Sequence, residues 1–330
     1  MKIINKSQKE FLNALHNNKK FLLTTHINSD GDGLGAEAAL FLYLNYLGKD
    51  VKIVNDAKPA AQYDFLNLPV ETNLEYEDVK NTVLIIMDCN EIARINDCFV
   101  PYLGKFKKII VIDHHRDPQH FQNSIEIIDH RASSVCEIVY LLLEKEFNNL
   151  PHAIRLDIYQ AIYAGIIFDT NNFVNSNVSK TTYFISGEMI ERGVDNTLSY
   201  RHIFEDKPNS KLKLLGETLS SLEEYLDGKV VFYMTTQEML EKTDTNMTDA
   251  NGFTKEVRPD GLRQVVVYIR EIAKNKYRVS LRSKKLDVQK IAKKFDGGGH
   301  KLAAGFKSNR QIDELRKGIL SLISKKLQEI

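Results

Sequence analysis

Short continuous apolar runs alternate with stretches of helical spacing through the first half of the chain. Residues 21–25 and 125–128 read as strands, as do 51–54, 83–87 and 109–112, which are rich in Val and Ile. Their runs are continuous rather than alternating, which means burial on both faces and so a parallel sheet under helices. Between them, residues 33–47 place Leu34, Ala38, Phe41, Leu44 and Leu47 at helical spacing, with Gly48 as the stop. Ser134 and Glu137 have capping-box spacing for a helix reaching about Phe147. Further helices are expected near 153–166 and 179–191. The pattern loses regularity over 195–215, around Pro208. Beyond it come a helix at 211–226, strands near 229–236, 264–272 and 277–282, and helices near 287–295 and 310–329. The expected fold class is α/β: an N-terminal parallel-sheet domain over 1–195, a helix-bearing linker over 196–225, and a smaller mixed α/β domain over 226–330. In that second domain, helices are expected on one side of the sheet.

Composition narrows the classes without choosing among them. At 330 residues the chain has room for two cores, and a net charge of +1 removes any general attraction for polyanions. Anion binding must then come from local clusters. Three cysteines with no CxxC spacing argue against a disulfide framework and for a reducing, cytoplasmic setting. No apolar run approaches the roughly 20 residues of a membrane helix, so no membrane partner is expected.

Candidate chemistry gathers where apolar runs end. His26, Asp30 and Asp32 lie on a glycine-bearing turn after the first run, and the glycines 31, 33 and 35 let the backbone approach an ion or substrate. Asp88 follows 83–87, Asp113-His114-His115 follows 109–112, and Asp169 closes the apolar stretch 164–168. Each residue alone has an ordinary structural explanation; Asp30, for instance, suits a helix N-cap. Four apparent strand-to-loop junctions that each carry carboxylate or imidazole are harder to dismiss. Open α/β sheets build sites at such ends. Hard oxygen and imidazole ligands without thiolate suit a pair of divalent cations, Mn²⁺ foremost, with Mg²⁺, Co²⁺ and Zn²⁺ as alternatives. Such a pair, about 3.5–4 Å apart under a bridging carboxylate, activates a hydroxide for in-line attack at phosphorus.

In order, these motifs resemble those of the DHH phosphoesterase superfamily, and Gly297-Gly298-Gly299-His300 resembles the GGGH signature of DHHA1 domains. Length and motif order are most similar to the nanoRNase and pAp-phosphatase group. The resemblance implies that His26 and Asp30 bind one metal and Asp32, His114 and Asp169 a second, with Asp88 bridging. It makes Asp113 the acceptor that orients His114, and His115 the residue that meets the phosphate or protonates the leaving oxygen. It also implies an active-site cleft between the two domains, and a homodimer by analogy. Ala36, Asn171 and Ala304 depart from the usual pattern without removing a ligand.

The second domain reads as a substrate clamp. Three glycines before His300 would let backbone N–H groups converge on an anion, and the resemblance makes Gly297, Gly298, Gly299 and His300 phosphate or nucleobase contacts. Between Arg270 and Lys307 stand twelve Lys and Arg against three acids. Arg282, in a strand pattern, is expected to fork onto a phosphate. Arg116 and Arg131 either touch the scissile phosphate or pair with surface acids.

The resemblance implies a Mn²⁺-dependent phosphoesterase that trims short oligoribonucleotides to mononucleotides and converts 3′-phosphoadenosine 5′-phosphate to AMP. The nearest rival is a phosphodiesterase for cyclic di-AMP or its linear product pApA. A non-catalytic nucleotide sensor is the rival from another class, and the intact ligand set speaks against it.

Overall fold

The computed structural model describes residues 4–74, 79–115, 121 and 123–328. The chain divides into two compact units, Met1–Asp206 and Lys207–Ile330.

The first unit runs α1 (Ile4–Asn17), β1 (Lys20–Thr24), α2 (Gly31–Tyr46), β2 (Asp50–Val54), β3 (Val70–Glu71), β4 (Thr82–Met87), β5 (Lys108–Asp113), β6 (Ser124–Ile128), α3 (Val135–Phe147), α4 (His152–Asp169), α5 (Lys180–Glu191) and α6 (Asn196–Tyr200). Its six strands pair in the order β3-β2-β1-β4-β5-β6, all in parallel. The continuous apolar runs are explained by two covered faces. Phe21, Leu23, Val83, Ile85, Ile110 and Ile112 face a core shared with the helices. Leu22, Leu84, Ile86, Ile109 and Val111 face a second cluster with Phe99 and Phe106. That second cover comes largely from 3₁₀ turns, including Asp97–Lys105 with Pro101 inside it, rather than from α-helices. Proline lacks the N–H that a helix interior needs.

The start of α2 is buried all round, not amphipathic: residues 31–40 are all inaccessible. A Cβ on Gly33 would collide with the Thr25 side chain, and one on Gly35 with the Ala161 carbonyl of α4. Those glycines serve close packing of α2 between sheet and α4, not the approach of an ion. Ser134 caps α3 as expected, by accepting from the Glu137 N–H. The Glu137 carboxylate, however, turns inward to accept from the hydroxyls of Ser133 (2.6 Å) and Thr182 (2.8 Å).

The second unit runs α7 (Asn209–Ser220), β7 (Glu223–Tyr225), β8 (Val230–Thr235), α8 (Gln237–Thr243), β9 (Val265–Ala273), β10 (Lys276–Ser283), α9 (Val288–Ala292), β11 (Gly298–His300), β12 (Ala303–Ser308) and α10 (Ile312–Gln328). The sheet order is β11-β12-β10-β9-β8-β7, mixed because only β8 and β9 are parallel. The helix expected to reach 226 stops at Ser220, since residues 223–225 pair with β8 instead. Apolar clusters form on both faces, one with α9 and α10, the other with α7 and the 250–257 segment. Helices on one side only is therefore corrected: Val231, Tyr233, Val266 and Tyr268 need a cover of their own.

Candidate metal centre

The strand order places the site. The chain leaves β1 for β2 on one side and β4 for β5 on the other, so the topological switch lies between β1 and β4. Ligands bind at the carboxyl ends of the strands at such a point. His26 follows β1 by two residues, Asp88 directly follows β4, and Asp113 ends β5 ahead of His114. Because β4 is hydrogen-bonded to both β1 and β5, Asp88 stands between the two imidazoles. It sits in the left-handed region, φ 56°, with its N–H still donating to the Ile112 carbonyl at 3.0 Å.

The distances describe two pockets sharing one carboxylate. His26 Nε2 is 3.4 Å from Asp30 Oδ2 and 3.5 Å from Asp88 Oδ2. His114 Nε2 is 3.6 Å from Asp88 Oδ1, 3.5 Å from Asp169 Oδ2 and 4.0 Å from Asp32 Oδ2. These separations exceed the ~2.7–2.9 Å of charge-assisted hydrogen bonds. They approach the roughly 3–3.5 Å between two atoms that each lie about 2.1 Å from a shared ion. His26, Asp30 and Asp88 offer one set of ligand atoms within 4.8 Å of one another, and Asp32, His114 and Asp169 another. Asp88 Oδ1 and His114 Nε2 are buried without a hydrogen-bond partner. Buried polar groups are rarely left so, and a divalent cation would complete both.

The surroundings aim the ligands. His26 Nδ1 is 2.9 Å from the Ile27 carbonyl, and His114 Nδ1 is 3.4 Å from that of Ala132. A proton on each Nδ1 leaves Nε2 free for an ion. Both Asp32 oxygens accept N–H groups at the start of α3, from Val135 at 2.6 Å and Cys136 at 2.9 Å. Asp30 caps α2 through the Asp32 N–H. Asn177, which no sequence pattern singled out, donates to the Ser133 carbonyl at 2.8 Å and reaches the Asp169 carbonyl and Oδ2 at 3.3 and 3.5 Å.

Packed acids and imidazoles shift one another's protonation. Burial opposes charge on His26, but Asp30 and Asp88 outweigh it and lift the ring to about 10. His114 reaches about 10 in the same way, through Asp88, Asp32 and Asp169. Burial resists ionisation of Asp88, yet the two imidazoles hold it near 2. Asp169 is pushed up to about 6, by burial first, and Asp32 is raised strongly by burial together with Asp88 and Asp169. The site demands positive charge.

Several expectations change. Asp169 ends helix α4 rather than a strand. Asp113 does not orient the His114 ring. Its Oδ1 accepts from the His114 N–H at 2.7 Å and takes the His115 ring Nδ1 at 2.8 Å, so the ring it positions is His115. Arg131 forks onto surface Asp129 at 2.8 and 2.9 Å. Arg116 lies outside the described residues. In the second unit, Gly298-Gly299-His300 is the edge strand β11, paired antiparallel with β12, and not a nest of converging N–H groups. Glycine is required there by contact: a Cβ on Gly297 would strike Phe306 and the Gly305 carbonyl, and Gly299 sits at φ 128° against Ala303. Ala304 is buried in the core cluster while also lining the depression beside Gly298 and Gly299. Arg282 lies opposite Ala303, and both line a depression of about 630 Å³ with Gly298 and Gly299. Gly297 and His300 are outside that lining.

Comparison with known proteins matches this arrangement. Residues 20–166 fit the DHH family N-terminal domain and residues 220–325 the DHHA1 domain. The chain belongs to the DHH/DHHA1 phosphoesterases. It is 25% identical to the bifunctional oligoribonuclease and PAP phosphatase NrnA of Mycoplasma genitalium, over 93% of this chain and 94% of that protein. It is 28% identical to NrnA of Bacillus subtilis, covering 86% of this chain and 88% of the relative. An exopolyphosphatase-related protein from Bacteroides fragilis has the same fold, with a TM-score of 0.83 and 24% identity over 97% and 96% of the two chains. The acid and histidine clusters fit a DHH metal site. No helix among the described residues is long and apolar enough to cross a membrane.

Proposed function

We propose that this metal-dependent phosphoesterase uses two Mn²⁺ ions to hydrolyse short oligoribonucleotides to mononucleotides and 3′-phosphoadenosine 5′-phosphate to AMP. The observation that carries the reading is Asp88, whose two oxygens face His26 and His114 from the central strand of three. His26 and Asp30 would hold one ion, Asp32, His114 and Asp169 the other, and Asp88 would serve both. When bound, the ions supply Lewis acidity toward the phosphoryl group and toward water at neutral pH.

The chain's own side chains do the rest. His115 keeps its Nδ1 on Asp113, and its half-exposed ring leaves Nε2 for the substrate. The Asp113 contact, against the opposing effect of burial, raises the affinity of this imidazole for a proton. A protonated ring suits protonation of the leaving oxygen. Asp113 is a positioning residue that fixes the tautomer. In the second unit, half-buried Arg282 beside Gly298 and Gly299 takes a substrate phosphate, the bidentate task of a guanidinium. The strand β11 borders that depression through Gly298 and Gly299.

The two curated relatives named above are described as oligoribonuclease and PAP phosphatase, which favours this substrate pair over cyclic di-AMP. A product time course with Mn²⁺ tests the choice. Offered pApA, a pentaribonucleotide, a long RNA, pAp and cyclic di-AMP, the enzyme should consume pApA, the pentamer and pAp. Rapid opening of cyclic di-AMP with the pentamer spared would overturn the reading.

A further inference from the structure

Along β10 of the second unit, residues alternate between a buried face and an open one. Tyr277, Val279 and Leu281 enter the core, while Arg278, Ser280 and Arg282 belong to neither apolar cluster. On β12 the open face carries Ala303, Gly305 and Lys307. The strand register places Arg278 directly opposite Arg270 on β9 and opposite Lys307 on β12. Residues paired in this way share a face, with Cβ atoms about 4.5–5.5 Å apart, and like charges so placed destabilise a sheet. Three cations in one row therefore call for an anion.

Among the described residues, no carboxylate forms an ion pair with any of the three. Asp296 lines the same depression as Arg278 and Lys307 but does not pair with them. Arg270 is held in place: its Nη1 donates to Asn251 Oδ1 at 2.9 Å, and its guanidinium lies 5.8 Å from the Tyr268 ring. Its Nε is buried with no partner. Between this row and Arg282 the floor is Ser280, Gly305 and Ala303, side chains small enough for a ribose or base to lie against the strands.

We propose that Arg270, Arg278 and Lys307 form a second phosphate subsite, which grips an oligonucleotide at a phosphate beyond the one taken by Arg282. Arg278 and Arg282 are four residues apart on one strand, about 13 Å at an extended rise. A nucleoside bisphosphate with one phosphate at the metal centre and the other on Arg282 has none left for the row, whereas an oligonucleotide has. The subsite thus separates oligonucleotide substrates from mononucleotide ones. It rests on the substrate reading above and deepens it.

The test is the double variant Arg278→Gln/Lys307→Gln, with Arg278→Lys as a charge-retaining control. For a pentaribonucleotide, KM should rise about tenfold or more per lost charged contact, with kcat kept. The slope of log(kcat/KM) against log salt should flatten by about 0.7 per contact, and Arg278→Lys should keep the slope. Hydrolysis of pAp should not change. Parallel losses on pentamer and pAp, or no loss on either, overturn the subsite. Binding of a labelled pentaribonucleotide, read by fluorescence anisotropy without metal, keeps the test independent of turnover. Weakened binding in the double variant supports the subsite even if the wild type hydrolyses neither substrate, a result that would sink the functional reading alone. Unchanged binding overturns the subsite.

Discussion

In the first unit, acids and imidazoles are packed at the carboxyl end of a sheet buried on both faces. In the second, guanidinium and ammonium groups stand on an open sheet face over a floor of small residues. The first gathers more carboxylates than its imidazoles offset and the second gathers only cations, and the cost differs with burial. Buried, the excess carboxylate charge must be neutralised within a few ångströms, which calls for compact divalent cations held by fixed ligands. On the open face, water screens the cations, and a phosphate that comes and goes satisfies them. The contrast suits a division into chemistry and grip.

The largest effect that could break this contrast is at its centre. Asp88→Asn should lower kcat by about 10³-fold or more with saturating Mn²⁺, since an amide NH2 replaces one of the two oxygens and the carboxylate charge is lost. Near-normal turnover in a folded Asp88→Asn protein would refute the shared-carboxylate reading.

Next comes the edge of the buried site. His115→Ala should cost about 10²–10⁴ in kcat while leaving bound Mn²⁺ unchanged by elemental analysis. Asp113→Asn should cost less and move the pH profile, because it acts through the His115 tautomer. Loss of metal in His115→Ala would assign this ring to the ligand set instead.

A smaller signal sharpens the charge argument. With His26 and His114 both lifted to about 10, ions at neutral pH must displace their protons. Calorimetric titration with Mn²⁺ in buffers of different ionisation enthalpy should show proton release. Affinity should also rise with pH between about 6 and 9. Binding enthalpy independent of buffer would contradict protonated rings at rest.

The smallest effect concerns a buried acid that touches no metal ligand in the proposal. Glu37 is fully buried, accepts from Asn55 Nδ2 at 2.9 Å, and is pushed up to about 8, by burial first. A raised carboxyl binds its proton more tightly in the folded than in the unfolded chain. Stability is therefore fully present below the unfolded value of about 4.5 and is lost as pH rises toward 8. Glu37→Gln removes that dependence. Its melting temperature should gain on the wild type steadily from pH 5 to 8. A constant difference across that range would place the ionisation elsewhere.

Much of this architecture was legible in residue order. Continuous Val and Ile runs dictated a sheet buried on both faces, and Gly48 with the Ser134 cap marked helix ends. The six metal-ligand candidates stood out because they cluster just past the ends of apolar runs. What misled was local resemblance between element ends: Asp169 closes an apolar stretch whether that stretch is strand or helix. Glycine was equally ambiguous. Gly33, Gly35, Gly297 and Gly299 looked like room for a ligand, and the fold uses them as room for Thr25, Ala161, Phe306 and Ala303.

By itself, then, the amino-acid order determined which residue types end which apolar runs, because hydrophobic periodicity is a local property. Only the tertiary structure decided that Asp88 lies between His26 and His114, since that follows from the neighbours of β4, and strand order is not written in any one strand. It also decided that Asp113 holds His115 rather than His114, and that Arg270, Arg278 and Lys307 share a row. Both depend on register and backbone direction, which arise only when distant segments pair.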